Sequence, residues 1–157
     1  MTIISPYSYS VDNRPNSMLL TRLPTLSEIE ALTAFLPRLY ADGFSPVVHW
    51  DGGQKNNDGL LSLPYPQYDP LVEDFFHLLG SECWLDYGYD PAQAWAVLQD
   101  EARVKVASLS EVKTMLTFCV RGERFSDGHW AEMIQRGHIR RLLERLNVIK
   151  SEMAAKK

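Results

Sequence analysis

Arg121-Gly122-Glu123-Arg124-Phe125-Ser126-Asp127-Gly128-His129-Trp130 packs two arginines, a glutamate, an aspartate, a histidine and a tryptophan into one short stretch. Arginine presents a planar fork that suits phosphate or carboxylate. Arg121 and Arg124 are three apart, so on a helical turn they share a face. Two glycines among them predict a turning backbone. Two readings follow. Glu123 and Asp127 can hold both guanidiniums in an internal network, which makes a structural corner. Alternatively Arg121, Glu123, Arg124, Asp127, His129 and Trp130 form a ligand-binding or small catalytic site, which requires a shared cleft and a perturbed pKa among them.

A second group is Glu82, Asp86 and Asp90 beside Trp84, Tyr87 and Tyr89. Rings next to carboxylates can raise a pKa or form a platform for a sugar or base. The simpler reading is that the rings anchor a loop to the core. Other chemistries lack their residues. There is no GxSxG nucleophile elbow, P-loop or dinucleotide fingerprint. A calcium-loop register on Gln54, Asn56, Asp58 and Gly59 lacks a carboxylate at its first position and has Tyr65 at its twelfth. His49, His77, His129 and His138 are scattered, so neither metal nor cofactor is expected. Cys83 and Cys119 form no CxxC pair and read as buried, reduced thiols of a cytoplasmic protein. Met1-Thr2-Ile3-Ile4, followed at once by Ser5 and Pro6, reads against a secretory signal. No apolar run is long enough for a membrane span.

The net charge of −4 divides unevenly, −9 over residues 1–100 and +5 over residues 101–157. From Asp51 to Asp100 nine carboxylates face one lysine, Lys55. The halves can neutralise each other across the fold. Alternatively, Asp69, Glu73, Asp74, Glu82, Asp86 and Asp90 form an acidic face for a basic protein or ribonucleoprotein complex. The acidic total disfavours direct nucleic-acid binding.

The elements that must position these residues read as mainly α. We expect one compact domain over residues 25–153, five to six helices with at most a small β-hairpin near residues 45–63, behind an extended arm over residues 1–24. Ser27 and Glu30 have capping-box spacing for a first helix, which Pro37 should kink or divide. Asp69-Pro70 and Asp90-Pro91 predict two further starts. Arg103 to Ala107 alternates weakly and reads as extended. Ser108 and Glu111 open an amphipathic helix, and Asp127 reads as the cap of a short one. Ile139, Leu142, Leu146, Ile149 and Met153 then recur at spacings of 3, 4, 3 and 4, widened by Leu143. That stripe packs on the core or forms a homodimer seam.

The polar corner and Gly137-His138-Ile139-Arg140-Arg141-Leu142-Leu143-Glu144-Arg145-Leu146 together resemble the C-terminal signature of an uncharacterised bacterial domain-of-unknown-function family. The similarity extends through Phe35-Leu36-Pro37, Trp50-Asp51-Gly52-Gly53 and Tyr87-Gly88-Tyr89, over about residues 27–150. It supplies no catalytic residues. It implies a compact domain of bacterial, phage or mobile-element origin. By analogy with small acidic proteins of such settings, it implies a non-catalytic, anti-CRISPR-like inhibitor of a host defence complex.

Overall fold

Helix starts follow side chains that can accept from free backbone N–H groups, and the computed structural model, which describes residues 22–156, shows which candidates take that role. The first helix, α1 (Leu26–Thr33), is capped by Thr25 with Glu28 returning to the cap. The Ser27–Glu30 pair has the same spacing but lies two residues inside. Arg22 adds to the Thr25–Glu28 pair: its guanidinium holds both Glu28 carboxylate oxygens at 2.6 Å. Pro37 then divides the helix as expected, and α2 (Leu36–Leu39) accommodates it in a first turn, where no N–H is needed.

The mainly α architecture carries one antiparallel hairpin, β1 (Val47–Asp51) with β2 (Tyr65–Tyr68). Leu60–Leu63, where the hairpin expected near residues 45–63 would return, pairs back only through an isolated bridge of Leu61 with Lys55, and the paired strand is β2. It lies further on and includes Pro66, opposite Trp50. A two-stranded ribbon leaves an edge of each strand unpaired, so a proline without a donor fits there. The connection is itself hydrogen-bonded, Gly53 N–H to Ser62 O at 2.7 Å and Asn56 N–H to Leu60 O at 2.8 Å. The Asn56 Oδ1 also accepts from the N–H groups of Asp58 and Leu60. Gly52 permits the crossing, since a Cβ there would lie 3.1 Å from the Leu63 carbonyl carbon and closer still to its oxygen.

Asp69 and Asp90 cap α3 (Pro70–Leu79) and α4 (Pro91–Leu98) as the Asp-Pro pairs predict. Residues 101–105 are not extended: α5 (Glu101–Lys105) forms one turn capped by Asp100. Its one buried side chain, Val104, can be covered by a helical turn as well as by a strand, which is why so short a pattern does not discriminate. The Ser108–Glu111 box opens α6 (Leu109–Arg121). A 3-10 turn (Gly122–Arg124) leads to α7 (His129–Gln135) and α8 (His138–Ala155). Eight α-helices thus occur among the described residues, against five or six expected, because α2 is split off and α5 is added.

The core is built around α8, which packs against α1, α2, α5, α6 and α7. Ile139, Leu142, Leu143 and Leu146 are fully buried there, Ile149 nearly so, and Met153 packs at the edge. The stripe is therefore core of the chain's own fold and not a homodimer seam. Both cysteines are free and buried. No helix is long and apolar enough to cross a membrane among the described residues. The arm expected over residues 1–24 lies, up to residue 21, outside the described residues.

Candidate functional site

The polar corner joins α6 to α7, and its groups point in different directions. The Glu123 carboxylate turns inward. Its Oε1 accepts from the Tyr68 hydroxyl at 2.9 Å and the Trp130 N–H at 2.8 Å, and its Oε2 accepts from the Gly128 N–H at 3.0 Å. Glu123 therefore caps α7 from outside the helix while fastening β2 to it. Asp127, expected as the cap, is exposed; the N-cap position belongs to Gly128, whose φ of +93° favours glycine. A Cβ on Gly128 would also meet Trp50 Cη2 at 2.8 Å, so the hairpin rests on this turn.

His129 is buried, edge-on to Phe118 at 5.4 Å, and its ring fills the space beside Gly122. Trp130 stacks on Phe76 at 4.6 Å, and its indole N–H donates to Val120 O at 3.0 Å. Arg121 lies over the rings of Tyr87 and Tyr89 at 5.6 and 5.7 Å. Among the described residues no ion pair joins Arg121 or Arg124 to Glu123 or Asp127, so the expected guanidinium–carboxylate network is absent. Nor do these groups converge on one cleft. Asp127 lines a cavity with His49 and Trp50, whereas Glu123 and His129 are turned into the fold. The corner is a joint between helices and hairpin.

These residues lie inside a matched sequence region. Residues 24–152 match the Family of unknown function (DUF6508). The chain belongs to this family. No curated protein matches the chain, and no solved structure does. Within the family region the joint holds Arg121, Glu123, His129 and Trp130, and α8, with Gly137 at its N-cap, begins with His138-Ile139-Arg140-Arg141.

The six carboxylates read as an acidic face divide into two sets. Asp69 accepts from the Leu71 N–H and Asp90 from those of Ala92 and Gln93. Asp86 accepts from the Thr114 hydroxyl at 2.7 Å and the Gly88 N–H at 3.0 Å. Those three order the backbone. Glu73, Asp74 and Glu82 are exposed. Asp86 and Asp90 line a cleft of about 290 Å³ with Tyr89, Arg103 and Glu111. Trp84 is buried and anchors its loop, leaving Tyr87 and Tyr89 beside Arg121 instead of an open platform. Among the described residues no three His, Cys, Asp or Glu side chains come close enough to hold a metal ion.

The sequence reading missed the hairpin surface. Val48, Trp50, Leu60, Leu61, Leu63 and Tyr65 stay exposed on a hydrogen-bonded ribbon, Leu63 at 77%.

His138 is buried beside Trp95, and its Nδ1 lies 3.0 Å from Arg141 Nη2. Arginine only donates, so Nδ1 accepts and the folded imidazole is neutral. Burial, then Arg141 and Arg136, pull the His138 pKa down, and burial does the same to His129. The unfolded chain binds those protons near the ordinary value of about 6.5. Between that value and the lower folded ones it holds more protons than the folded chain, so stability falls as pH falls through the window. Urea midpoints should drop from neutral to mildly acidic pH, and less so in His138→Gln; an identical slope in that variant would remove His138 as a source.

Proposed function

We propose that this chain is a non-catalytic protein-binding module that grips a basic partner with its hairpin arm. One observation carries this reading: the ribbon over residues 47–68 is hydrogen-bonded to its tip yet leaves six large apolar side chains in water. Exposed apolar surface on an ordered element gains by being covered. Charge gives the partner its chemistry. Asp51 and Asp58 lie on the arm, Glu73 and Asp74 are exposed on α3 directly after it, and Lys55 is the one lysine among residues 51–100. An apolar recess with a basic rim is complementary to that surface. Basic rims of this kind bind nucleic acid in ribonucleoprotein complexes, and an acidic protein competes for them. The finer proposal is therefore an inhibitor of a nucleic-acid-handling defence complex, anti-CRISPR-like in action.

Leu60→Asp/Leu61→Asp/Leu63→Asp should abolish capture of the partner that the unaltered protein enriches from host lysate, with the far-ultraviolet circular dichroism unchanged. Glu73→Lys/Asp74→Lys should slow association about tenfold at low salt and flatten its salt dependence, with little change in dissociation. Asp69 is left in place because it caps α3. Undiminished capture by the triple variant would overturn the arm, and unchanged association kinetics would overturn the acidic rim.

A further inference from the structure

α7 and α8 meet at Gly137, whose φ of +82° turns the chain, and Arg136, Arg140 and Arg141 flank the turn. The three arginines line one cleft of about 390 Å³ together with Tyr40, Phe44 and Pro46. No aspartate or glutamate lines that cleft, in a chain whose net charge is −4. The 18-residue α8 begins there with no side-chain cap, so the positive end of its dipole adds to the guanidiniums.

The arginines are oriented by their surroundings. The Arg140 guanidinium lies 4.4 Å from the Tyr40 ring centroid. The Tyr40 hydroxyl donates to Ile134 O at 2.8 Å and accepts from the Arg140 N–H at 3.0 Å. Arg141 is held by the neutral His138. Glu132 pairs with the exposed Arg136 at 3.1 Å, and Glu101 reaches the half-buried Arg141 only at 3.8 Å. The exposed Arg136–Glu132 pair is weak and gives way to a more highly charged ligand, and the Arg141–Glu101 contact is long.

We infer that the Arg136–Arg140–Arg141 cleft binds a phosphoryl group, free or as a small phosphate monoester. The guanidinium forks of Arg136 and Arg140, with the charge of Arg141 held beside them by His138 and the Arg136 carbonyl, exceed what one carboxylate can use, with its two oxygens and single charge. A phosphate monoester offers three terminal oxygens and nearly two charges. Phe44 and Pro46 give its organic part an apolar wall, and the cleft volume lies in the range of small-ligand sites. A nucleic-acid strand needs an extended basic track, which the acidic N-terminal half opposes.

The test is a titration with inorganic phosphate and, separately, ribose 5-phosphate, following the Gly137 and Ile139 amide resonances. Saturable shifts at those amides are expected. Affinity should weaken at least about tenfold in Arg136→Gln/Arg140→Gln and measurably in Arg140→Lys, which keeps the charge but loses the fork. Arg103→Gln, outside the cleft, should bind as the unaltered protein does. Tighter binding of ribose 5-phosphate assigns the site to an ester, and equal binding assigns it to free phosphate. The Leu60/Leu61/Leu63 variant should bind phosphate normally, so this site stands or falls apart from the hairpin arm. Shifts that never saturate, or equal affinity in the double glutamine variant with an unchanged thermal midpoint, would overturn it.

Discussion

Gly122→Ala is expected to destabilise the fold by more than about 3 kcal/mol, a large part of the roughly 5–15 kcal/mol that holds an ordinary domain together. Two effects compete at this position. Gly122 has helical backbone angles, φ −62° and ψ −25°, so alanine should gain up to about 1 kcal/mol of propensity. Against that, the new Cβ would lie 2.5 Å from His129 Cε1 and closer still to Nε2 and Cδ2. The ring cannot step aside, because it is buried and seated on Phe118. Overlap with a fixed ring exceeds the propensity gain. Gly122→Ala/His129→Ala removes the obstacle and should be more stable than Gly122→Ala alone. Urea unfolding of the four corners of this double-mutant cycle reads the coupling directly. Additive losses would show that the two residues do not share the space.

Glu123→Ala should cost about 2–4 kcal/mol, the second largest single effect. One carboxylate serves three donors, two of them N–H groups at the start of α7 and the third the Tyr68 hydroxyl. Burial, and then Glu123 itself, push the Tyr68 phenol upward, so this hydroxyl stays protonated and continues to donate. Glu123→Gln should lie between. Its carbonyl oxygen can replace one acceptor, but its amide nitrogen then faces a donor. Tyr68→Phe should cost about 1 kcal/mol. Hydrogen exchange should show the Gly128 and Trp130 amides losing protection in the alanine variant ahead of the α8 core. A group kept for ligand or catalysis commonly costs stability, so its removal leaves the fold intact or firmer. Unchanged thermal midpoints and amide protection in Glu123→Ala would therefore return the corner to the list of binding sites.

Legibility differed by kind of signal. The Asp69-Pro70, Asp90-Pro91 and Ser108–Glu111 starts were readable because cap, proline and first turn lie within a few residues of one another. The first cap lies two residues before the expected one because Thr25–Glu28 and Ser27–Glu30 share the same box spacing, and spacing alone does not rank them. The cap of α7 was misread because Glu123 reaches it across a turn that opens only when Gly128 adopts a positive φ. The polar corner was found as a dense cluster, but composition carries no direction. Nothing local tells whether His129 faces a cleft or Gly122, or that the guanidinium of Arg121 lies over tyrosines.

The helical class, the starts of α3, α4 and α6, the apolar stripe of α8 and the separation of charge along the chain are all written in the local order of residues. Those follow from interactions spanning one or two turns, where the 3.6-residue period and the reach of a side chain fix the outcome. Three features appear only once the chain is folded: Pro66 pairs with Trp50, Leu60, Leu61 and Leu63 stay uncovered, and three arginines of the α7–α8 turn line one cleft with Tyr40. Tyr40 and Arg140 stand a hundred positions apart, and strand register depends on which partner covers which face. Such contacts arise from the closing of the core, and no local pattern of residue types encodes them.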